Sequence, residues 1–183
     1  MSHVVYRTYR YDDMIAWYQE VFGARIKSRG PALTFLTYDD EDHRFAFANL
    51  GVLKPGSAPQ ERNGLVGVDH VSYTMTSLAD LLGNYEDLKV KGIVPYWCIH
   101  HGDTVSMYYA DPDGNQMEFQ VETFEAQRLV PPDNKPRPAH SPGVEFDPDQ
   151  WLARLRAGTQ DVELLVRTVH EPASPIRGAI ARG

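Results

Sequence analysis

Cysteine is almost absent from this chain of 183 residues, where Cys98 is the only one. One thiol excludes an internal disulfide framework and a zinc cage of thiolates, so any metal would have to be held by histidine and carboxylate. No apolar run reaches the length of a membrane span, and MSHVVYRTYRYDD lacks the charged-then-apolar order of a secretion signal. A soluble, cytoplasmic protein without membrane contacts is expected. Basic residues are also scarce, 18 against 25 acidic, and the net charge of −7 argues against a nucleic-acid partner. What remains, 42% hydrophobic and 11% aromatic, is enough to bury a real core.

What the chain does contain is a repeat. HVVYRTYRYDDMIAWYQ from His3 and HVSYTMTSLADLLGNYE from His70 match at an offset of 67 residues, pairing His3 with His70, Tyr6 with Tyr73, Asp13 with Asp80 and Tyr18 with Tyr85. A single duplication points to two supersecondary modules and not to a solenoid, which needs about three repeats or more. The copies share one local grammar. Val4 to Thr8 and Val68 to Met75, rich in β-branched and aromatic residues, read as strands. Asp12 or Asp13, and Ser77, are expected helix caps; Met14, Ile15, Tyr18 and Phe22, then Leu81, Leu82, Tyr85 and Leu88, follow at helical spacing. Gly23 and Gly92 stop the helices. Three strands are expected after each, over 25–28, 32–38 and 44–50, then 93–99, 104–110 and 115–122. The fold class is α+β, with a βαβββ unit twice, modules at 1–50 and 65–122, and GVLKPGSAPQERNG (51–64) as linker.

DPDGN, residues 111–115, has the chemistry of a hairpin turn. Pairing symmetric about Asp113 sets Ala110 opposite Gln116 and Tyr108 opposite Glu118. Strand alternation then puts Tyr108, Glu118, Gln116, Gln120 and Ser106 on one face, and Met117, Phe119 and Val121 on the other. Glu118 thus belongs to a polar sheet face, as do His70, Ser72 and Thr74 of the first strand of that copy. Gly23 and Gly92 are offset by 69 residues, and at that offset Asn49 corresponds to Glu118. Pseudo-twofold symmetry would gather His3, His70, Asn49 and Glu118, three of which bind metal well.

These residues resemble a known family. The duplicated βαβββ unit, SHVVY around His3, VDHVSY around His70 and HGDTVSMYYADPDGNQMEF from His101 look like the vicinal oxygen chelate superfamily, and most closely its type I extradiol catechol dioxygenases. The resemblance covers about residues 2–122. It implies two modules forming a curved pair of mixed-sheet half-barrels around Fe(II), with Mn, Zn or Ni as alternatives, held by His3, His70 and Glu118. It further implies that His101 and Tyr108 stand beside a bound catechol, and that Asn49 occupies a strand position where relatives often carry another active-site histidine. The expected partners are a catechol-type diol and O2. Two imidazoles and one carboxylate leave adjacent positions open for both, the arrangement that non-haem Fe(II) oxygenases use. A glyoxalase-type isomerase or lyase, which fills a fourth position, and a metal-free binding protein of the bleomycin-resistance kind are the alternatives.

His100 is expected to point away from His101 and to be structural, and His43, His140 and His170 are expected to be surface residues. Cys98 is expected to serve packing. Residues 123–183 form an extension that begins with the proline-rich LVPPDNKPRPAHSPG and carries one amphipathic helix at about 148–157, capped by Asp147 or Asp149 and stopped by Gly158. Its Trp151, Leu152 and Leu155 edge needs a cover, either the mouth of the site or a second subunit of a homodimer or higher homo-oligomer. The segment after Glu171 is expected to be mobile.

Overall fold

The computed structural model describes residues 3–56, 68–123, 142–166 and 173–178. His140, His170 and most of the expected linker lie outside these residues. The chain forms two compact units, residues 1–64 with 111–115, and residues 65–110 with 116–183. Both are mixed α+β, each built on one sheet with parallel and antiparallel pairs.

In the first unit the strand order is β1-β4-β3-β2. β1 (Val4–Thr8) runs parallel to β4 (Phe45–Asn49), while β3 (Leu33–Thr37) is antiparallel to both β4 and β2 (Arg25–Arg29). Helix α1 spans Tyr11–Phe22 and ends at Gly23, whose φ of 59° is the left-handed conformation a helix stop requires. Its start differs from expectation: Asp12 and Asp13 lie in the first turn and the cap position is Arg10. The physical reason is upstream, where Thr8 Oγ1 accepts the Arg10 N–H at 2.8 Å and turns the chain early. The two aspartates still face the positive end of the helix dipole. Met14, Ile15 and Tyr18 are fully buried, and the Tyr18 ring packs edge-on against Phe45 and Phe47, at 4.6 and 4.9 Å between centroids. A short helix, α2 (Leu50–Leu53), occupies the start of the expected linker because Asn49 caps it, accepting the Gly51 N–H at 3.0 Å.

In the second unit the order is β5-β8-β7-β6-β9. β5 (His70–Thr74) is parallel to β8 (Gln116–Glu122); β7 (Thr104–Ala110) and β8 form the antiparallel hairpin, with Tyr108 opposite Glu118 and Ala110 opposite Gln116 as the turn symmetry requires. β6 is shorter than expected, Trp97–His100, since Pro95 has no N–H to give a ladder. Helix α3 (Leu78–Val90) is capped by Ser77, whose Oγ accepts the Asp80 N–H at 3.1 Å, and it buries Leu78, Leu81, Leu82, Tyr85 and Leu88.

The extension is more structured than its sequence suggests. β9 (Val144–Glu145) adds an antiparallel edge to β6. Helix α4 (Pro148–Arg156), capped by Asp147, lies on α3 through Tyr85 Oη to Asp149 (3.0 Å), Lys89 to Asp149 (2.6 Å) and Arg156 to Glu86 (2.6 Å). Trp151 finds a cover within the chain, its ring 4.2 Å from that of Phe146 and tilted 31° to it. A further helix, α5 (Asp161–Leu165), buries Leu164 and Leu165. Of the segment around and after Glu171, residues 173–178 are described and are hydrogen-bonded: the Trp97 indole N–H donates to Ser174 Oγ at 3.0 Å and the Ser174 N–H to Gly143 O at 2.8 Å. Among the described residues no helix is long and apolar enough to cross a membrane.

Candidate metal and substrate site

The polar face of the second sheet carries a continuous hydrogen-bonded chain. Parallel pairing of β5 with β8 sets His70 beside Gln116 and Ser72 beside Glu118, and His70 Nε2 reaches Glu118 Oε2 at 3.1 Å. The other His70 nitrogen, Nδ1, meets Asp69 Oδ2 at 2.7 Å, so it carries a proton and leaves Nε2 to face Glu118. Glu118 is only 5% exposed. A carboxylate so far from water costs several kcal/mol unless a cation or strong donors compensate it.

The second Glu118 oxygen accepts Tyr108 Oη–H at 2.9 Å. Burial, and then the neighbouring Glu118 carboxylate, push the Tyr108 phenol well above its ordinary range, so it stays protonated. Tyr108 Oη also lies 3.2 Å from His101 Nε2, while His101 Nδ1 bonds Pro142 O. A carbonyl oxygen only accepts, so Nδ1 carries the proton of neutral His101. One phenolic proton therefore faces two acceptors, Glu118 Oε1 and His101 Nε2. Around this chain stand Trp97, 5.0 Å from the Tyr108 ring, and Tyr96, whose Oη donates to Gln116 Oε1 at 2.8 Å.

Asp69 escaped the sequence reading, and Gln116, placed on this face, was given no role in the site. Their signals were adjacency to His70 and a place two residues before Glu118 on the same strand face. His100 is buried and structural: Nδ1 accepts the Gly102 N–H at 3.1 Å, and Nε2 donates to Leu165 O at 3.0 Å. Burial pushes the Cys98 thiol up to about 12, which makes it a poor ligand or nucleophile. Tyr109 is buried on the opposite face from Tyr108.

In the first unit His3 precedes β1, and its ring lies 4.5 Å from that of His43, tilted 31° to it. His43 was expected at the surface. It is instead partly covered, lying edge-on to Phe35 at 5.0 Å with Nδ1 held by Asp42 Oδ2 at 2.8 Å. Parallel pairing of β1 with β4 explains the encounter, since it brings the residues just before each strand together. Asn49 has its amide engaged, accepting from Gly51 and donating to Pro31 O at 3.0 Å.

Among the described residues no three His, Cys, Asp or Glu side chains stand together as a metal cage. The His70 and Glu118 pair nevertheless suits an ion: donors 3.1 Å apart have the spacing of adjacent ligands about 2.1 Å from one metal. A nitrogen and a carboxylate oxygen, without thiolate, are the donors of iron and manganese as well as zinc.

Comparison with known proteins gives the same lineage. Residues 1–119 match the model of the Glyoxalase/Bleomycin resistance protein/Dioxygenase superfamily. The biphenyl-2,3-diol 1,2-dioxygenase 2 of Rhodococcus globerulus is 42% identical over 164 residues, covering 86% of this chain and 82% of that protein. The biphenyl-2,3-diol 1,2-dioxygenase 3 of the same organism is 34% identical over 175 residues, with 91% and 87% covered. The fold is shared with a lactoylglutathione lyase from Agrobacterium tumefaciens, at a TM-score of 0.51 and 20% identity over 66% of this chain and 92% of that one. With two relatives of this identity along most of its length, the chain belongs to the glyoxalase, bleomycin resistance protein and dioxygenase superfamily, within its extradiol dioxygenase branch.

Proposed function

We propose that the chain is an Fe(II)-dependent extradiol dioxygenase that opens the ring of a catechol-type aromatic diol with O2. The single observation that carries this reading is the buried pairing of Glu118 with His70 beside a protonated tyrosine and a histidine. A binding protein of the bleomycin-resistance kind has no need of so costly a group. The relatives act on biphenyl-2,3-diols, which makes an aryl-substituted catechol the substrate class to try first.

In this proposal His70 Nε2, Glu118 and His3 hold the iron, with His3 supplied by the first module as the repeat partner of His70. When bound, the metal supplies a point where diol and O2 meet and where the diol becomes more acidic. Asp69 fixes the His70 tautomer so that Nε2 presents a lone pair. His101 handles protons: Nδ1–H stays on Pro142 O, while Nε2 can accept from the Tyr108 hydroxyl or, once protonated, donate to it, so neither bond is lost when the ring changes charge. Tyr108, kept neutral, donates to whichever oxygen lies before it. With the Asn49 amide tied to α2, the proposal gives the place beside His3 to His43, a second imidazole for protons or oxygen on that side. Homo-oligomeric assembly belongs to the same proposal and is read by size exclusion.

The test is anaerobic loading with Fe(II), then oxygen uptake over a panel from catechol to 3-phenylcatechol, with Mn, Zn and Ni loaded in parallel. Oxygen consumption with a yellow product in the iron form supports the reading. Diol binding without oxygen consumption in any metal form overturns it.

A further inference from the structure

The extension reaches the site face of the second sheet through contacts that no requirement of the fold explains. β9 pairs with β6 so that Glu145 lies opposite Ile99, on the face shared by Trp97 and Tyr108. On that face residues 173–178 are tied down by three polar contacts: Trp97 Nε1–H to Ser174 Oγ (3.0 Å), Ser174 Oγ–H to Glu145 Oε1 (2.7 Å), and Arg177 to the same Glu145 oxygen (2.7 Å). Farther along, Gly178 passes so close to Gln116 that a Cβ would fall 2.0 Å from its Oε1 and 3.2 Å from Tyr96 Oη. Upstream, Pro142 O is the acceptor that sets the His101 tautomer, and Gly143 O next to it receives the Ser174 N–H. Gly143 has no room for a side chain, since a Cβ would meet His100 O at 2.4 Å.

These contacts converge on one indole. The Trp97 ring lies 5.0 Å from Tyr108, tilted 31° to it, and 5.9 Å from His101 at nearly a right angle. It therefore backs both groups between which the proposed proton moves. A tryptophan packed only by apolar contact slides and tilts; one whose N–H is spent on a fixed hydroxyl does not. Ser174 can hold it because its own hydroxyl proton is directed elsewhere, to Glu145 Oε1 at 2.7 Å, which Arg177 holds in turn, or to Pro175 O at 2.8 Å.

We propose that Ser174 and Trp97 are positioning residues: through them the C-terminal extension orients the His101 and Tyr108 pair, so the extension is a working part of the ring-cleavage site. This rests on the proton-handling role given to His101 above. The test uses the full chain carrying Trp97→Phe, Ser174→Ala, both together, or Ser174→Thr, which keeps the hydroxyl. Each preparation is read for iron content, Tm, kcat and KM, and the metal-free protein for the His101 tautomer by long-range 1H–15N spectra of the imidazole.

Trp97→Phe and Ser174→Ala are each expected to lower kcat about three- to tenfold, the worth of one hydrogen bond, with iron content and KM nearly unchanged. The double variant should be no worse than either, because both remove the same bond. Ser174→Thr should recover most of the rate. In the metal-free protein His101 should pass from a fixed Nδ1–H form to a tautomer mixture when Ser174 or Trp97 is changed. A kcat that does not move, or one that falls only in step with iron content or Tm, overturns the inference, as does a His101 tautomer indifferent to both substitutions. The tautomer result stands apart from turnover: if it depends on Ser174 while no diol is cleaved, the positioning holds and the dioxygenase reading fails.

Discussion

His70 Nε2 and Glu118 Oε2 lie 3.1 Å apart, on neighbouring parallel strands, with the carboxylate almost fully buried. An imidazole nitrogen and a carboxylate oxygen at this distance can hold a divalent ion between them, which is why the pair is given to iron. Glu118→Ala should abolish metal retention and ring cleavage together, since it removes the only anionic donor of the proposed set. Iron content after desalting, measured beside kcat, checks this. Full iron occupancy in the variant would mean that the metal is held elsewhere.

His101→Asn should separate binding from chemistry. The substitution removes the group that bridges Pro142 O and Tyr108 Oη but no proposed ligand, so iron content should hold while kcat falls by about 10²- to 10⁴-fold, the usual worth of a positioned acid or base. Loss of metal instead would make His101 a ligand.

Much of this site was legible in the sequence because it depends on local rules. The DPDGN turn fixes hairpin register, and register fixes that Tyr108 and Glu118 face each other; the repeat then singles out His70. His43 was not legible, since its meeting with His3 depends on the parallel pairing of β1 with β4, a long-range choice that no local pattern encodes. The same holds for the end of the extension. Nothing in EPASPIRG has helical or strand periodicity, and its place is set by single hydrogen bonds to Trp97 and Gly143. Asn49 carries a feature that offset matching did not show: its side chain caps the helix that follows β4.

The turn itself should be a stability hot spot. Asp111 is 4% exposed; Oδ1 accepts the N–H groups of Asp113 (3.0 Å) and Asn115 (2.8 Å), and Oδ2 accepts Asn115 Nδ2 (2.7 Å) and Tyr18 Oη (3.1 Å). Burial raises its pKa, partly offset by the Asn115 bonds, so the charged form has little to spare. Asp111→Ala should destabilise the chain by about 2–3 kcal/mol in urea unfolding, because it leaves the buried Tyr18 hydroxyl and three partly buried N–H donors without their acceptor. A change within about 0.5 kcal/mol would show that water replaces the carboxylate.

The clasp that holds residues 173–178 should open in acid. Arg177 holds the Glu145 carboxyl below the ordinary carboxylate range, against the opposing effect of burial and with a lesser contribution from Ser174. A folded pKa below the unfolded one, about 4.3, means that the contribution is fully present above that value and is lost as pH falls through the folded one. The pair is largely exposed, so the effect is modest and salt-sensitive. Protection of the Ser174 amide against hydrogen exchange, corrected for intrinsic rate, should be constant from about pH 7 to 5 and decline below about pH 4. Constant protection down to about pH 3 would show that the clasp does not depend on that carboxylate.

Ring opening by the proposed dioxygenase should place both atoms of one O2 in the product. Iron-loaded protein turning over 3-phenylcatechol under 18O2, with the product trapped and weighed by mass spectrometry before exchange, tests it most directly. Two labelled oxygens are expected in each ring-opened molecule, with one O2 consumed per diol. A product with one labelled oxygen or none, or an isomerised diol formed without oxygen uptake, would contradict it.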